Sequence, residues 1–149
     1  MIDATNEYFG RIDLSKTKYK LTLDYKVLNN PPVDQVQSIY RTYCIHKQFV
    51  SVHPLFPSEW DKPHIDFIAY YDNKDLVAFS IFHNYLDGKN VIADQFAWNY
   101  QTPSLKIGYK SLRHECALYK SWGYDYIYLG DHYAYKAELK GYEVLGPMK

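Results

Sequence analysis

The stretch from Ser104 to Pro147 limits the fold more than any other part of the chain. Ser104-Leu105-Lys106-Ile107-Gly108 reads as a loop opening onto a helix. Ile107, Leu112, Cys116, Ala117 and Tyr119 then recur at roughly helical spacing through Trp122. Gly123 stops that helix, as glycine does at a C-terminus. Tyr124 to Gly130 follows as a short, aromatic, β-branched strand. A short helix and a last strand complete the unit. A lone helix between two strands cannot bury its apolar face, so the upstream residues must supply a sheet for it to join.

They have the patterns to do so. Residues 1–18 show no period and read as an irregular lead-in. Lys20 to Val27 alternates polar and apolar, which predicts a half-buried strand. Asn29-Asn30-Pro31-Pro32 is a turn. Val33, Val36, Ile39, Tyr40, Tyr43 and Cys44 fall on one face of a helix predicted over Val33–Val50. Ser51–Pro63, with three prolines and Trp60, is a long loop of the kind that forms a lid or binding edge. Strands at Ile65–Tyr71, Leu76–Tyr85 and Val91–Trp98 are joined by the turns Asp72–Asp75 and Asp87–Asn90, an antiparallel meander. No linker or repeat interrupts the 149 residues, so the expectation is one domain over 1–149. The fold class expected is α+β: a mixed, mainly antiparallel sheet flanked by helices.

Composition removes several functions. Lys and Arg together number 17, as do Asp and Glu, so no strong field draws in nucleic acid or an anionic membrane. No apolar run approaches the ~18 residues of a membrane span, and the N-terminus lacks a signal-peptide pattern; the expected location is cytoplasmic. Cys44 and Cys116 form neither a disulfide framework nor a zinc site and read as small buried hydrophobes. The six histidines (46, 53, 64, 83, 114 and 132) show no metal-ligand spacing, so no metal is expected. Phosphate-loop and Gly-x-Ser-x-Gly motifs are absent. Aromatic residues are 18% of the chain, enough either for a ring-rich core or for a pocket lined with rings.

The element order resembles the GNAT (N-acetyltransferase-like) fold, and the last third of the chain carries a closer likeness. Ile107-Gly108-Tyr109-Lys110-Ser111-Leu112 with Glu115 resembles the helix opening of the arginyl- and leucyl-tRNA–protein transferases. Tyr126-Ile127-Tyr128-Leu129-Gly130 is similar to their aromatic strand ending in Leu-Gly. Tyr135-Lys136-Ala137-Glu138-Leu139-Lys140 through Glu143-Val144-Leu145-Gly146-Pro147 is similar to their C-terminal signature. The resemblance implies an acyltransferase that moves an acyl or aminoacyl group onto an amine, a protein N-terminus or a small molecule. The donor would be acyl-CoA or aminoacyl-tRNA, which makes tRNA a candidate partner. Its strands Val91–Trp98 and Tyr124–Gly130 would part beside Gly108.

The resemblance also assigns residues. Ala97 and Trp98 would close the donor strand, and Ile107, Gly108 and Tyr109 would open the helix whose free amides meet an anion. Lys106 and Lys110 flank that point and could meet phosphates; otherwise they are a solvated face. Tyr135 is the candidate acid for the leaving group, its alternative a core tyrosine. Asp94 could orient or deprotonate the amine, or be an edge carboxylate. His132 is a second candidate base, because an imidazole exchanges its proton near neutral pH. The loop keeps only one glycine of the two usual in acetyltransferases, which leaves open a non-catalytic binding module with the same fold.

Overall fold

The computed structural model describes residues 7–49, 54–85 and 88–147. Expectations that fall on other positions, such as the start of the lead-in, the head of the Ser51–Pro63 loop, Val50 and Asp87, lie outside the described residues. Among the described residues, seven strands form one hydrogen-bonded sheet: β1 (Phe9–Asp13), β2 (Asp24–Leu28), β3 (Ile65–Asp72), β4 (Asp75–Tyr85), β5 (Asn90–Trp98), β6 (Tyr126–Asp131) and β7 (Tyr142–Leu145). Their order is β2-β3-β4-β5-β6-β1-β7. Two helices, α1 (Val33–Lys47) and α2 (Ile107–Ser121), flank it. β2–β3, β3–β4, β1–β6 and β1–β7 are antiparallel and β5–β6 is parallel. The α+β class with a mixed, mainly antiparallel sheet is what the patterns dictate.

Two local expectations need correction. The lead-in is not irregular throughout: it holds β1, and Ile12 and Leu14 are fully buried. Lys20–Leu23 alternates but lies outside the strand, which begins at Asp24, and Leu21 is half exposed. Elsewhere the boundaries shift by a residue or two, and β6 runs one residue past Gly130 to Asp131.

The described residues gather into two compact units. The first takes the residues up to Leu21, Asn84–Ala93, and those from Leu112 on. It buries Ile12, Leu14, Val91, Cys116, Leu118, Tyr119 and Ile127, so the helical spacing of α2 places its apolar side chains inside. Burial pushes the Cys116 thiol up to about 12, so it stays protonated and inert at neutral pH. The turn into β7 is tight. Gly141 lies at φ +75°, its carbonyl accepts from the Asp13 amide at 2.8 Å, and an added Cβ would stand 2.5 Å from the Asp13 carbonyl oxygen. Gly141→Ala is therefore expected to cost about 2 kcal/mol of stability, because left-handed strain and a backbone clash coincide. Equilibrium urea unfolding measures it, and an unchanged midpoint would refute the argument.

The second unit takes Thr22–His83 and Asp94–Ser111. Its core joins Val36 and Ile39 of α1 to Phe67, Ala69, Phe79, Ile81 and Ala97 of the strands, with Leu55 and Trp60 from the loop. Phe67 and Phe79 stack at 5.2 Å, and Trp60 meets Phe67 edge-on at 5.7 Å. Each such ring removed from water contributes about 1.5–3 kcal/mol. The proline-rich loop thus supplies two core residues, Leu55 and Trp60, besides any role at an edge.

Candidate functional site

Three arrangements carry chemistry. The first lies in the second unit, where β5 ends and α2 begins. Pro103–Leu105 winds a 3₁₀ turn, Lys106 takes a left-handed conformation (φ 53°), and α2 starts at Ile107. The amides of Tyr109 and Lys110 both donate to the Lys106 carbonyl, at 3.0 and 2.8 Å. The amides of Ile107 and Gly108 precede them at the helix start, where an α-helix has no acceptor of its own. No acidic residue stands in this first turn, so the positive end of the helix dipole is not neutralised. Lys106 is exposed and Lys110 half-buried beside it.

Trp98 stands next to this helix start: its Nε1 would lie 3.7 Å from a Cβ on Gly108. Neither φ nor crowding forces glycine at 108, so its lack of a side chain keeps space over the helix end. Trp98 continues into a ring stack. Tyr100 packs against Trp98 at 4.2 Å and lies face to face with His46 at 3.9 Å and 13°. Tyr43 stacks behind at 6.1 Å. Burial pushes the Tyr100 hydroxyl up, so it stays protonated. Ala97 and Ile107 point into the core, so only their backbone could meet a ligand; Tyr109 is 61% exposed.

The second arrangement is an imidazole–carboxylate pair in the same unit. His83 Nε2 on β4 lies 3.0 Å from Asp94 Oδ2 on β5, and both side chains are about half exposed. Donation from Nε2 to the carboxylate leaves the Nδ1 lone pair to take a proton, the arrangement a general base needs. Asp94 was legible in the sequence; His83 was not, because its partner sits on the neighbouring strand.

The third belongs to the first unit. His132 Nδ1 is 2.8 Å from the Tyr142 hydroxyl, and its amide donates to the Tyr8 carbonyl at 2.9 Å. His132 thereby ties the end of β6 to β7. Tyr135 lies on a 3₁₀ turn (Ala134–Glu138), stacked on Tyr133 at 6.1 Å, and is 72% exposed. It is not a core tyrosine. Its neighbour Lys136 donates to the carbonyls of Leu129 and Asp131 at 3.1 and 2.7 Å, which fixes the turn against the strand end. The structure thus groups Trp98, Lys106, Gly108 and Lys110, pairs Asp94 with His83, and holds Tyr135 and His132 in the other unit.

The parallel ladder of β5 and β6 is short: Asn90↔Tyr126, Val91↔Ile127 and Ile92↔Tyr128. Among the described residues it has no further pair, although β5 runs on to Trp98. Also among the described residues, no group of three His, Cys, Asp or Glu side chains is placed to hold a metal ion, and no helix is long and apolar enough to cross a membrane.

No family model and no curated protein matches the sequence. Solved structures do match the fold. A GCN5-related N-acetyltransferase from Anabaena variabilis aligns with 98% of this chain and 42% of its own, at a TM-score of 0.59 and 12% identity. The C-terminal DUF2156 domain of a candidate lysylphosphatidylglycerol synthetase from Agrobacterium fabrum aligns with 83% of this chain and 46% of its own, at 0.65 and 12%. The L-PGS of Bacillus licheniformis aligns with 85% and 46%, at 0.60 and 11%. This chain spans less than half the length of each. At such identities the likeness is one of fold, and the fold is GNAT-like.

Proposed function

We propose that this GNAT-fold chain is an acyltransferase that moves an acyl group from a phosphate-bearing carrier onto an amine. The observation that carries the reading is the His83–Asp94 pair, a base with its orienting carboxylate on adjacent strands of such a sheet. The names of the structural relatives fit: an N-acetyltransferase and a lysylphosphatidylglycerol synthetase each attach an acyl group, acetyl or lysyl.

In the reaction the amine nitrogen attacks the acyl carbonyl carbon. A C–N bond forms, the bond from that carbon to the carrier breaks, and His83 takes the amine proton. His83, then protonated, returns a proton to the departing carrier. Lys106, Lys110 and the first amides of α2 attract the carrier's phosphates, and the Trp98–Tyr100–His46 stack offers flat faces to its base. Coenzyme A and the acceptor end of a tRNA share this chemistry, an adenine ring beside phosphate. Acyl-CoA is the first donor to test and aminoacyl-tRNA the second. The acceptor is a protein N-terminus or a small amine.

Titration with coenzyme A and with charged tRNA separates the donors. The double variant Lys106→Ala, Lys110→Ala should weaken the true carrier roughly tenfold and flatten its salt dependence. Unchanged affinity in that variant removes the carrier site. A second reading, a binding module without turnover, is favoured by one feature: Lys106 holds a left-handed conformation that glycine adopts at no cost, a departure from a glycine-rich donor loop. Carrier binding without transfer to any amine would establish it.

A further inference from the structure

A second recognition element lies within the first unit, on β1, β6 and β7. In the β1–β6 ladder Gly10 faces Gly130 and Arg11 faces Tyr128, so Leu129 has no opposite number and β6 bulges. Gly130 supplies the left-handed turn the bulge requires (φ 75°), and Lys136 takes up the Leu129 carbonyl. Among the described residues, nothing stands within 4 Å of where a Gly130 Cβ would be. The paired glycines thereby floor a pocket of about 260 Å³, walled by Phe9, Leu145, Ile92 and the edge-packed rings of Tyr85 and Tyr128. Among the described residues, no charged side chain lines it.

Among the described residues, the polar group held in place at this pocket is the Tyr128 hydroxyl. Arg11 Nη1 donates to that oxygen at 3.1 Å. The guanidinium is itself held by Glu143 at 2.8 Å and lies 3.8 Å over the Tyr126 ring. With its oxygen taken by a fixed cation, the Tyr128 hydroxyl has its own hydrogen left to donate. A small apolar cavity beside an oriented O–H selects an uncharged group with an apolar tail and an acceptor oxygen at its root.

We propose that this pocket binds a compact, uncharged, apolar carbonyl compound, its apolar part between Phe9, Ile92 and Leu145 and its carbonyl oxygen accepting from the Tyr128 O–H. No acceptor for the Tyr128 hydrogen is needed from the protein, because the ligand carbonyl supplies it.

The probes are acetophenone and ethylbenzene, near-isosteres that differ in one carbonyl, followed by NMR of the Ile92 and Leu145 methyl groups in the full chain. Both should shift those methyls saturably, with acetophenone bound about three- to tenfold more tightly, the worth of one hydrogen bond. Tyr128→Phe should abolish the difference and keep the binding. Leu145→Trp should fill the pocket and abolish both; where it fails to fold, Tyr85→Ala at the exposed rim should weaken both probes together. Absence of saturable shifts, or a carbonyl preference that survives Tyr128→Phe, overturns the proposal. Probe binding as expected with no turnover of any donor overturns the transferase reading and upholds the pocket.

Discussion

His83→Ala is expected to lower kcat/KM for acyl transfer by about 10²–10⁴-fold, the usual contribution of a positioned general base. The ring is 41% exposed and outside the core cluster, so its loss leaves no cavity and the variant should melt where the parent does. Asp94→Asn should cost less, roughly tenfold to a hundredfold, because the amide still fills the space but no longer favours the tautomer with Nδ1 free. The ordering of the two separates a base from a surface ion pair. An exposed pair is worth at most about 1 kcal/mol of stability and nothing in rate. Single-turnover measurements with a saturating donor isolate the chemical step. Full activity in His83→Ala, with the fold intact, would end the mechanism proposed here.

Much of this architecture follows from local patterns. The spacing of Val36, Ile39 and Cys44 marks the buried side of α1, and all three are buried. Ile107, Cys116 and Tyr119 do the same for α2, although Leu118 joins them unannounced. Strand β1 could not be read so, because Gly10 and Arg11 break its pattern and its partners lie more than a hundred residues away, on β6 and β7. Lys20–Leu23 is the converse: alternation just outside the strand, which begins at Asp24. The site suffers more from this non-locality. Asp94 lies on a strand flagged in advance, but His83 acquires meaning only when β4 and β5 lie side by side. Gly130 reads as the end of a strand, and only the ladder shows it inside one, turning a bulge. The stack of His46 on Tyr100 joins the last turn of α1 to the residues after β5, which no spacing rule connects.

Acid should unfold this protein through His114. The imidazole sits on α2, beside the buried Glu115, with no exposed surface. Burial there penalises the charged ring and pulls its pKa down from 6.5 to about 4. The folded state thus refuses a proton that the unfolded chain accepts. Above pH 6.5 neither state binds it and stability is unaffected. As pH falls from 6.5 toward 4 the unfolded state gains the proton alone, and stability drops by about 1.4 kcal/mol per unit. The total reaches about 3 kcal/mol, a large share of the 5–15 kcal/mol typical of a domain. Below about pH 4 the folded state protonates too, and this loss stops growing. Urea midpoints between pH 7 and 4 should show this slope in the parent. His114→Leu, which keeps an uncharged group of similar bulk, should flatten it whatever its own stability at pH 7. Because the slope rather than the midpoint is compared, a general weakening of the core cannot mimic the result. Parallel pH profiles in the two proteins would mean that the unfolding proton binds elsewhere.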